Sequence, residues 1–290
     1  MFDVQITEQT KIELKEIYSH LEKFTFEDAQ KPLSKIFYPI TGKEKRAFAQ
    51  AKRLREILLN IVKERKKSKA HHSDLLDMLI NSRYEDTGKN MSEEKIVDEL
   101  IVLIQAGHDT TATTLAWIIY LIAKHPTVKE KLTNTLANYA PKDNLQNDYL
   151  LAVIHEAMRI YPTSWLVERT AIEDDQFDTY TYPKGTMIIG FYYGLHRDEQ
   201  LWKNPLSFQP ERFIENPKLA KSKQFYPFGG GQRMCIGNHF ALAEIAFSIA
   251  LLFQKFDLSS TGQIPEIIPM VTLRPDKVMV RSVRRTKEIL

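Results

Sequence analysis

A chain of 290 residues, 43% hydrophobic and 27% charged, has the composition of a globular protein with a substantial core, in one large domain or two modest ones. Its formal net charge of +3 is too small to suggest nucleic acid. A single cysteine, Cys235, excludes an internal disulfide and a four-cysteine zinc site, and no C-x-x-C-H stretch offers covalent haem attachment.

The first residues, Met1, Phe2, Asp3, Val4 and Gln5, lack the basic start and apolar run of a signal peptide. The longest apolar stretch, 115–123, falls short of the ~20 residues that cross a bilayer, so a soluble cytoplasmic chain is expected. Helical periodicity runs over 8–21 and strongly over 43–67. The second run lies in a basic stretch, 43–69, and the tail at 281–287 is basic too. A solvated helix face is the simplest reading, and attraction of an acidic partner or a membrane surface is the lesser one. A shorter helix over 73–80 has Ser73 as its cap.

The next helix, 92–124, is long. Ser92 can cap it and Glu93 and Glu94 suit its first turn, while Lys95 stands where a full capping box needs Glu or Gln. Leu100, Ile101, Leu103, Ile104, Leu115, Trp117 and Ile118 make it apolar on most sides, which implies burial. Its middle, 105–114, nevertheless reads Q-A-G-H-D-T-T-A-T-T. Glycine, aspartate and β-branched residues each oppose a helix by a few tenths to ~1 kcal/mol. Such a breach of local consistency marks a candidate functional site, the alternative being a polar stripe facing solvent.

Helices follow over 126–138, with Pro126 in the first turn, and over 149–160, ending before Pro162. The latter is apolar nearly all round, so Glu156 and Arg159, three apart, read as a buried pair in need of further partners. The period then changes. Short strands are expected at 169–172, 179–182 and 186–189, the last two joined by a Pro183-Lys184-Gly185 turn. An irregular stretch over 204–226, a helix over 235–255 and a strand over 277–283 complete a predominantly α chain with a small β component.

The strongest local signal is F-G-G-G-Q-R-M-C-I-G at 228–237. A glycine run lets backbone approach an atom closely because no Cβ obstructs it. Here it ends at a cysteine expected at a helix N-terminus, where free amides and the helix dipole favour thiolate. Arg233 adds a charge suited to a carboxylate. A lone soft thiolate beside an arginine suits haem, sulfur for iron and guanidinium for propionate. A phosphate loop would need a lysine–serine pair that is missing, and His239 as a base for a nucleophilic cysteine has no evident third partner. A merely buried cysteine is the bland reading, and the ten-residue pattern argues against it.

That segment resembles the cysteine-ligand loop of the cytochromes P-450, F-x-x-G-x-R-x-C-x-G, with Phe228, Gly231, Arg233, Cys235 and Gly237 in their places and Gly229 within the glycine run. The resemblance implies the cytochrome P-450 fold, mainly α with small β-sheets, as a single catalytic domain over 1–290, with Cys235 as ligand to haem b (iron protoporphyrin IX). A-G-H-D-T-T at 106–111 is similar to the family's oxygen-activation motif. It implies that Ala106 and Gly107 lie over the haem, that Gly107 leaves room for oxygen, and that Asp109 and Thr110 form an acid–alcohol proton relay. E-x-x-R at 156–159 and P-E-R-F at 210–213 look like the family's structural triad, Glu156, Arg159 and Arg212. Arg169 lies where many relatives place an arginine against a haem propionate. Trp165 and Arg169 also spell W-x-x-x-R, a family pattern of an earlier helix, but they follow Glu156 and Arg159, so this match is coincidence.

Relatives carry a substantial N-terminal portion ahead of the segment matching Met1, so the resemblance implies an N-terminally truncated form of the domain. The implied activity is a haem-thiolate monooxygenase that inserts one atom of dioxygen into a lipophilic organic substrate. Electrons would come from a separate ferredoxin or flavoprotein, because no flavin or iron–sulfur motif is present, and Lys221, Lys223 and Arg233 would help dock an acidic donor. Two alternatives stand beside it. The missing N-terminal portion speaks for a non-catalytic haem-binding fragment, whereas Asp109 and Thr110 speak against a peroxide-dependent hydroxylase of the same fold.

Overall fold

Helix-forming periodicity becomes ten helices and eight short strands among the residues described by the computed structural model, which are 2–31, 36–68, 72–137 and 145–285. The chain divides into two compact units, Met1–Ala106 and Gly107–Leu290.

In the first unit, Thr7 caps α1 (Glu8–Gln30) by accepting the Thr10 N–H. The helix runs nine residues past the expected end at Leu21 and stops where Lys31 precedes Pro32, which steers its neighbour out of helical dihedrals. A single turn, α2 (Tyr38–Thr41), leads into α3 (Lys43–Lys67), whose bounds match the periodicity. The cap of α4 (Leu75–Asn81) is Asp74 rather than Ser73. Its carboxylate also takes the Asp3 N–H at 2.7 Å and the Arg65 guanidinium at 2.9 Å, and with the capping Asp77 N–H these donors exceed the two lone pairs of a serine hydroxyl and gain from a negative charge. Ile17, Leu54, Val62, Leu76, Ile96 and Leu100 form the core. The basic character of α3 is largely answered within the unit, where Lys43 pairs with Glu27, Arg53 with Glu13 and Lys66 with Glu93. Lys69 and residues 286–287, the ends of the two basic stretches, lie outside the described residues.

The long helix α5 (Glu93–Lys124) starts where Ser92 Oγ accepts the Lys95 N–H, and it contains the boundary between the units. In the second unit α6 (Pro126–Leu136), α7 (Asp148–Ile160) and α10 (Asn238–Lys255) supply a core that includes Leu132, Leu150, Ile154, Ile249 and Phe253. The expected end of α6, Asn138, lies outside the described residues. Trp117 of α5 stacks on Tyr161 at 3.7 Å, and its indole N–H donates to the Leu273 carbonyl at 2.7 Å.

The sheets are small antiparallel pairs. β1 (Val167–Thr170) pairs with β4 (Met187–Gly190), β2 (Asp175–Phe177) with β3 (Tyr180–Tyr182), β5 (Phe256–Ser260) with β8 (Val280–Arg284), and β6 (Ile267–Pro269) with β7 (Leu273–Pro275). The strands on either side of Pro183-Lys184-Gly185 are joined by that turn but pair with other strands, β3 with β2 and β4 with β1. The Thr186 N–H closes the turn by donating to the Pro183 carbonyl. Two short helices, α8 (Tyr192–Leu195) and α9 (Glu211–Glu215), interrupt the stretch that precedes the glycine-rich loop.

Candidate active site

Glu156 and Arg159 are both 0% exposed on α7. Arg159 Nε and Nη2 donate to the two oxygens of Glu156 at 2.8 and 2.9 Å, the fork-to-fork geometry that carboxylate and guanidinium planes favour. Its remaining N–H groups donate to the carbonyls of His196 and Pro205, each at 2.7 Å, and of Ser207 at 3.2 Å. Arg212 on α9 adds its Nε at 3.0 Å from Glu156 Oε1, and the Gln209 N–H donates to the same oxygen at 2.9 Å. The three residues of the expected triad therefore meet at one carboxylate. The Trp202 ring covers them, with the Arg159 guanidinium carbon 5.0 Å from its centroid.

The glycine-rich loop begins where this framework ends. Gly229 and Gly231 have φ of 71° and 66°, in the left-handed region that glycine enters without a Cβ penalty. They bend the chain so that the Cys235 N–H donates to the Phe228 carbonyl at 2.9 Å. A Cβ at Gly237 would lie 3.8 Å from Cys235 Sγ, so glycine there keeps one side of the sulfur clear. The helix that follows begins later than the sequence suggests. Its cap is Gly237 and its first residue Asn238, which places Cys235 in the loop ahead of α10 rather than in its first turn. The Cys235 N–H closes the loop instead of continuing a helix.

Cys235 is exposed, and so are Met234, Ile236 and Phe240 around it. Arg233 is exposed as well, and no hydrogen bond or ion pair holds its guanidinium among the described residues. A free soft donor, bare apolar side chains and an unpaired cation fit the face, metal and carboxylates of a porphyrin. Arg169 on β1 is exposed, donates Nη1 to the Glu168 carbonyl and has no carboxylate partner among the described residues. Trp165 donates its indole N–H to the Met270 carbonyl, which leaves the W-x-x-x-R coincidence without a second N–H for a carboxylate. Among the described residues no cluster of three or more His, Cys, Asp or Glu could hold a metal ion.

The polar middle of α5 is divided. Thr111, Thr113 and Thr114 are buried, Ala106 and Thr110 are exposed, and Gly107 and Asp109 are half-buried. Thr114 Oγ1 lies 2.8 Å from the Thr110 carbonyl, to which it donates, and 2.7 Å from the Thr163 hydroxyl. Asp109 is held from another element altogether. The Thr272 hydroxyl donates to its Oδ2 at 2.7 Å, and Arg274 Nη1 lies 3.9 Å from Oδ1. Neither Thr272 nor Arg274 stands in a motif, and only the fold brings them to Asp109, Thr272 across 163 residues of sequence. His196 is also absent from the sequence-derived set. It is fully buried, its ring Nε2 accepts the Tyr226 N–H at 3.0 Å, and burial, reinforced by the nearby Arg159 charge, pushes the imidazole down to about 3. Its position beside Arg197 and Asp198 carries no sequence signal for this role.

The family model described as Cytochrome P450 matches residues 1–281. A cyclooctat-9-en-7-ol 5-monooxygenase of Streptomyces melanosporofaciens is 33% identical over 71% of this chain and 46% of its own length. Cytochrome P450 3A31 of Mesocricetus auratus is 34% identical over 73% of the chain and 45% of its own. The crystal structure of the cytochrome P450DA heme domain superposes with a TM-score of 0.86 at 25% identity, covering 94% of this chain and 61% of that one. The chain thus spans about half the length of the curated relatives it matches.

Proposed function

The chain belongs to the cytochrome P450 family of haem-iron proteins, and from that premise we propose that it is a haem-thiolate monooxygenase that inserts one atom of dioxygen into a lipophilic organic substrate. One observation carries the reading. The single cysteine is exposed at the end of a glycine-bent loop, its backbone pinned to Phe228 and its sulfur free. Haem held by a thiolate supplies the electron density that favours O–O cleavage.

Every other part of the chemistry falls to the chain. Cys235 binds the iron, and Phe228, Gly229, Gly231 and Gly237 set the path of the loop around the sulfur. Arg233 and Arg169 take the propionates through charge-assisted hydrogen bonds. Ala106 and Gly107 keep α5 slim where oxygen must fit. Asp109 and Thr110 hold and pass protons, with the Thr272 hydroxyl bonded to the Asp109 carboxylate and Arg274 lying near it. Glu156, Arg159 and Arg212 hold the framework from which the loop departs. Electrons arrive from a separate ferredoxin or flavoprotein, attracted by the exposed Lys221, Lys223 and Arg233.

Absorbance of the reduced, carbon monoxide-treated protein tests the central claim. The expected result is a red-shifted thiolate band that Cys235→Ala loses, and nitrogen coordination or no bound pigment would overturn it. Thr110→Ala should divert reducing equivalents into free hydrogen peroxide. Unchanged coupling of electron use to product would remove the hydroxyl from the relay. Reduction by the donor should slow as salt rises.

A further inference from the structure

The charge network on α7 and the loop that carries Cys235 are separate in sequence, and His196 makes hydrogen bonds toward both. His196 caps the end of α8. Its main-chain carbonyl accepts from Arg159 Nη1 at 2.7 Å, and its ring Nε2 accepts the Tyr226 N–H at 3.0 Å. Tyr226 in turn governs the start of the glycine run. Its carbonyl accepts the Gly229 N–H, and its ring lies so close to Gly230 that a Cβ there would sit 3.1 Å from the ring edge. Two residues beyond Tyr226, the Phe228 carbonyl receives the Cys235 N–H. The connection is thus continuous from Glu156 through Arg159, His196 and Tyr226 to the cysteine.

The ring's own bonding argues that the contact at Nε2 matters. To accept there, a neutral imidazole carries its proton on Nδ1. That buried N–H finds no partner among the described residues, so the tautomer forgoes one hydrogen bond to make the other. Aromatic neighbours fix the ring plane. Tyr192 stacks on His196 at an interplanar angle of 11° and on Tyr226 at 14°, and Phe225 lies 5.3 Å away.

We propose that His196 is a positioning residue for the cysteine loop, its Nε2 acceptor transmitting the geometry of the Glu156–Arg159 network through Tyr226 to Cys235. The role of the loop as a haem-ligand loop rests on the function proposed above, whereas the mechanical coupling does not. Two substitutions separate bonding from bulk. His196→Phe keeps an aromatic ring in the pocket without an acceptor, and His196→Gln offers a side-chain carbonyl.

Amide hydrogen exchange on the full chain without haem reads the coupling directly. In His196→Phe the amides of Tyr226 and Cys235 should both exchange on the order of tenfold faster or more, while those of Ile249 and Phe253 in the core keep their rates. His196→Gln should return both loop amides most of the way to the parent rates. Faster exchange at Tyr226 with Cys235 unchanged would overturn the proposal, as would a Gln variant no better than Phe. In haem-loaded protein, His196→Phe should lose the thiolate band on warming before its helical signal falls, and simultaneous loss would count against the proposal. The haem-thiolate reading fails separately, on absence of that band from the unsubstituted chain.

Discussion

Arg159 and Arg233 are the same side chain in opposite situations. Arg159 is fully buried and spends all five of its N–H donors, two on Glu156 and three on main-chain carbonyls. Arg233 is exposed and meets no acceptor among the described residues. A guanidinium is tolerated out of water only when every donor is answered, because an unpaired buried charge costs several kcal/mol. One left in water without a partner is available to an external anion. The first arginine specifies where three segments of chain meet, and the second is available to what the loop binds.

The largest effect should come from breaking the buried side. Among the described residues, Arg159→Met leaves the Glu156 carboxylate with only the Arg212 guanidinium and the Gln209 N–H, and it strips three carbonyls of the Arg159 donors. Removing one partner of such a pair costs about 3–5 kcal/mol. That is a large share of the stability of an ordinary domain, so urea unfolding should move to far lower denaturant. A midpoint within experimental error of the parent would mean that the network is incidental to the fold.

A second expected effect sharpens the contrast by pH. Burial pushes His155 down to about 4 and His196 to about 3, so both are neutral in the folded chain at neutral pH. Unfolded, each takes up a proton near the usual histidine value of ~6.5. Below that value the unfolded state binds more protons than the folded state, so stability falls as pH drops and continues to fall until the folded-state values are reached. The Arg65 guanidinium holds Asp77 below the ordinary carboxylate range, and its contribution is lost only at more acidic pH. Between about pH 6.5 and 4.5 the histidines therefore dominate, with a limiting slope of ~1.4 kcal/mol per pH unit for each. His155→Phe, at a site already lined by Phe213 and Phe225, should roughly halve the slope. Stability that stays flat from pH 7 to 5 would show that these rings are not shielded.

What the sequence made legible follows the range of the forces involved. α3 and α7 were readable to within a residue because a 3.6-residue apolar period and local caps determine them, and both signals are short-range. Ser92 as the cap of α5 was readable for the same reason. Strand partnership was not. A turn of Pro183, Lys184 and Gly185 looks like a hairpin from either side, but whether β4 then pairs backward or with β1 depends on contacts twenty residues away. The site divides the same way. Cys235, Glu156 and Arg159 stand in motifs, whereas His196, Thr272 and Arg274 are single residues that become informative only when a ring nitrogen meets the Tyr226 amide or a hydroxyl meets Asp109.

The smallest expected effect on stability belongs to Arg233, and it is the one that most separates the two arginines. Arg233→Gln removes no side-chain hydrogen bond or ion pair among the described residues, so the urea midpoint should stay within about 0.5 kcal/mol of the parent, as for surface substitutions in general. Haem retention should nevertheless suffer. A hydrogen bond between guanidinium and carboxylate contributes roughly 1.5–3 kcal/mol, so its loss should weaken haem binding by about tenfold or more. Glutamine keeps much of the length and polarity but not the charge, so a loss seen with Arg233→Gln and not with Arg233→Lys would assign the effect to charge. Titration of the haem-free chain with haem, read by absorbance beside the unfolding curve, gives both quantities from one preparation. Equal haem affinity in parent and Gln variant would leave Arg233 as a solvated cation and shift the propionate role to Arg169 alone.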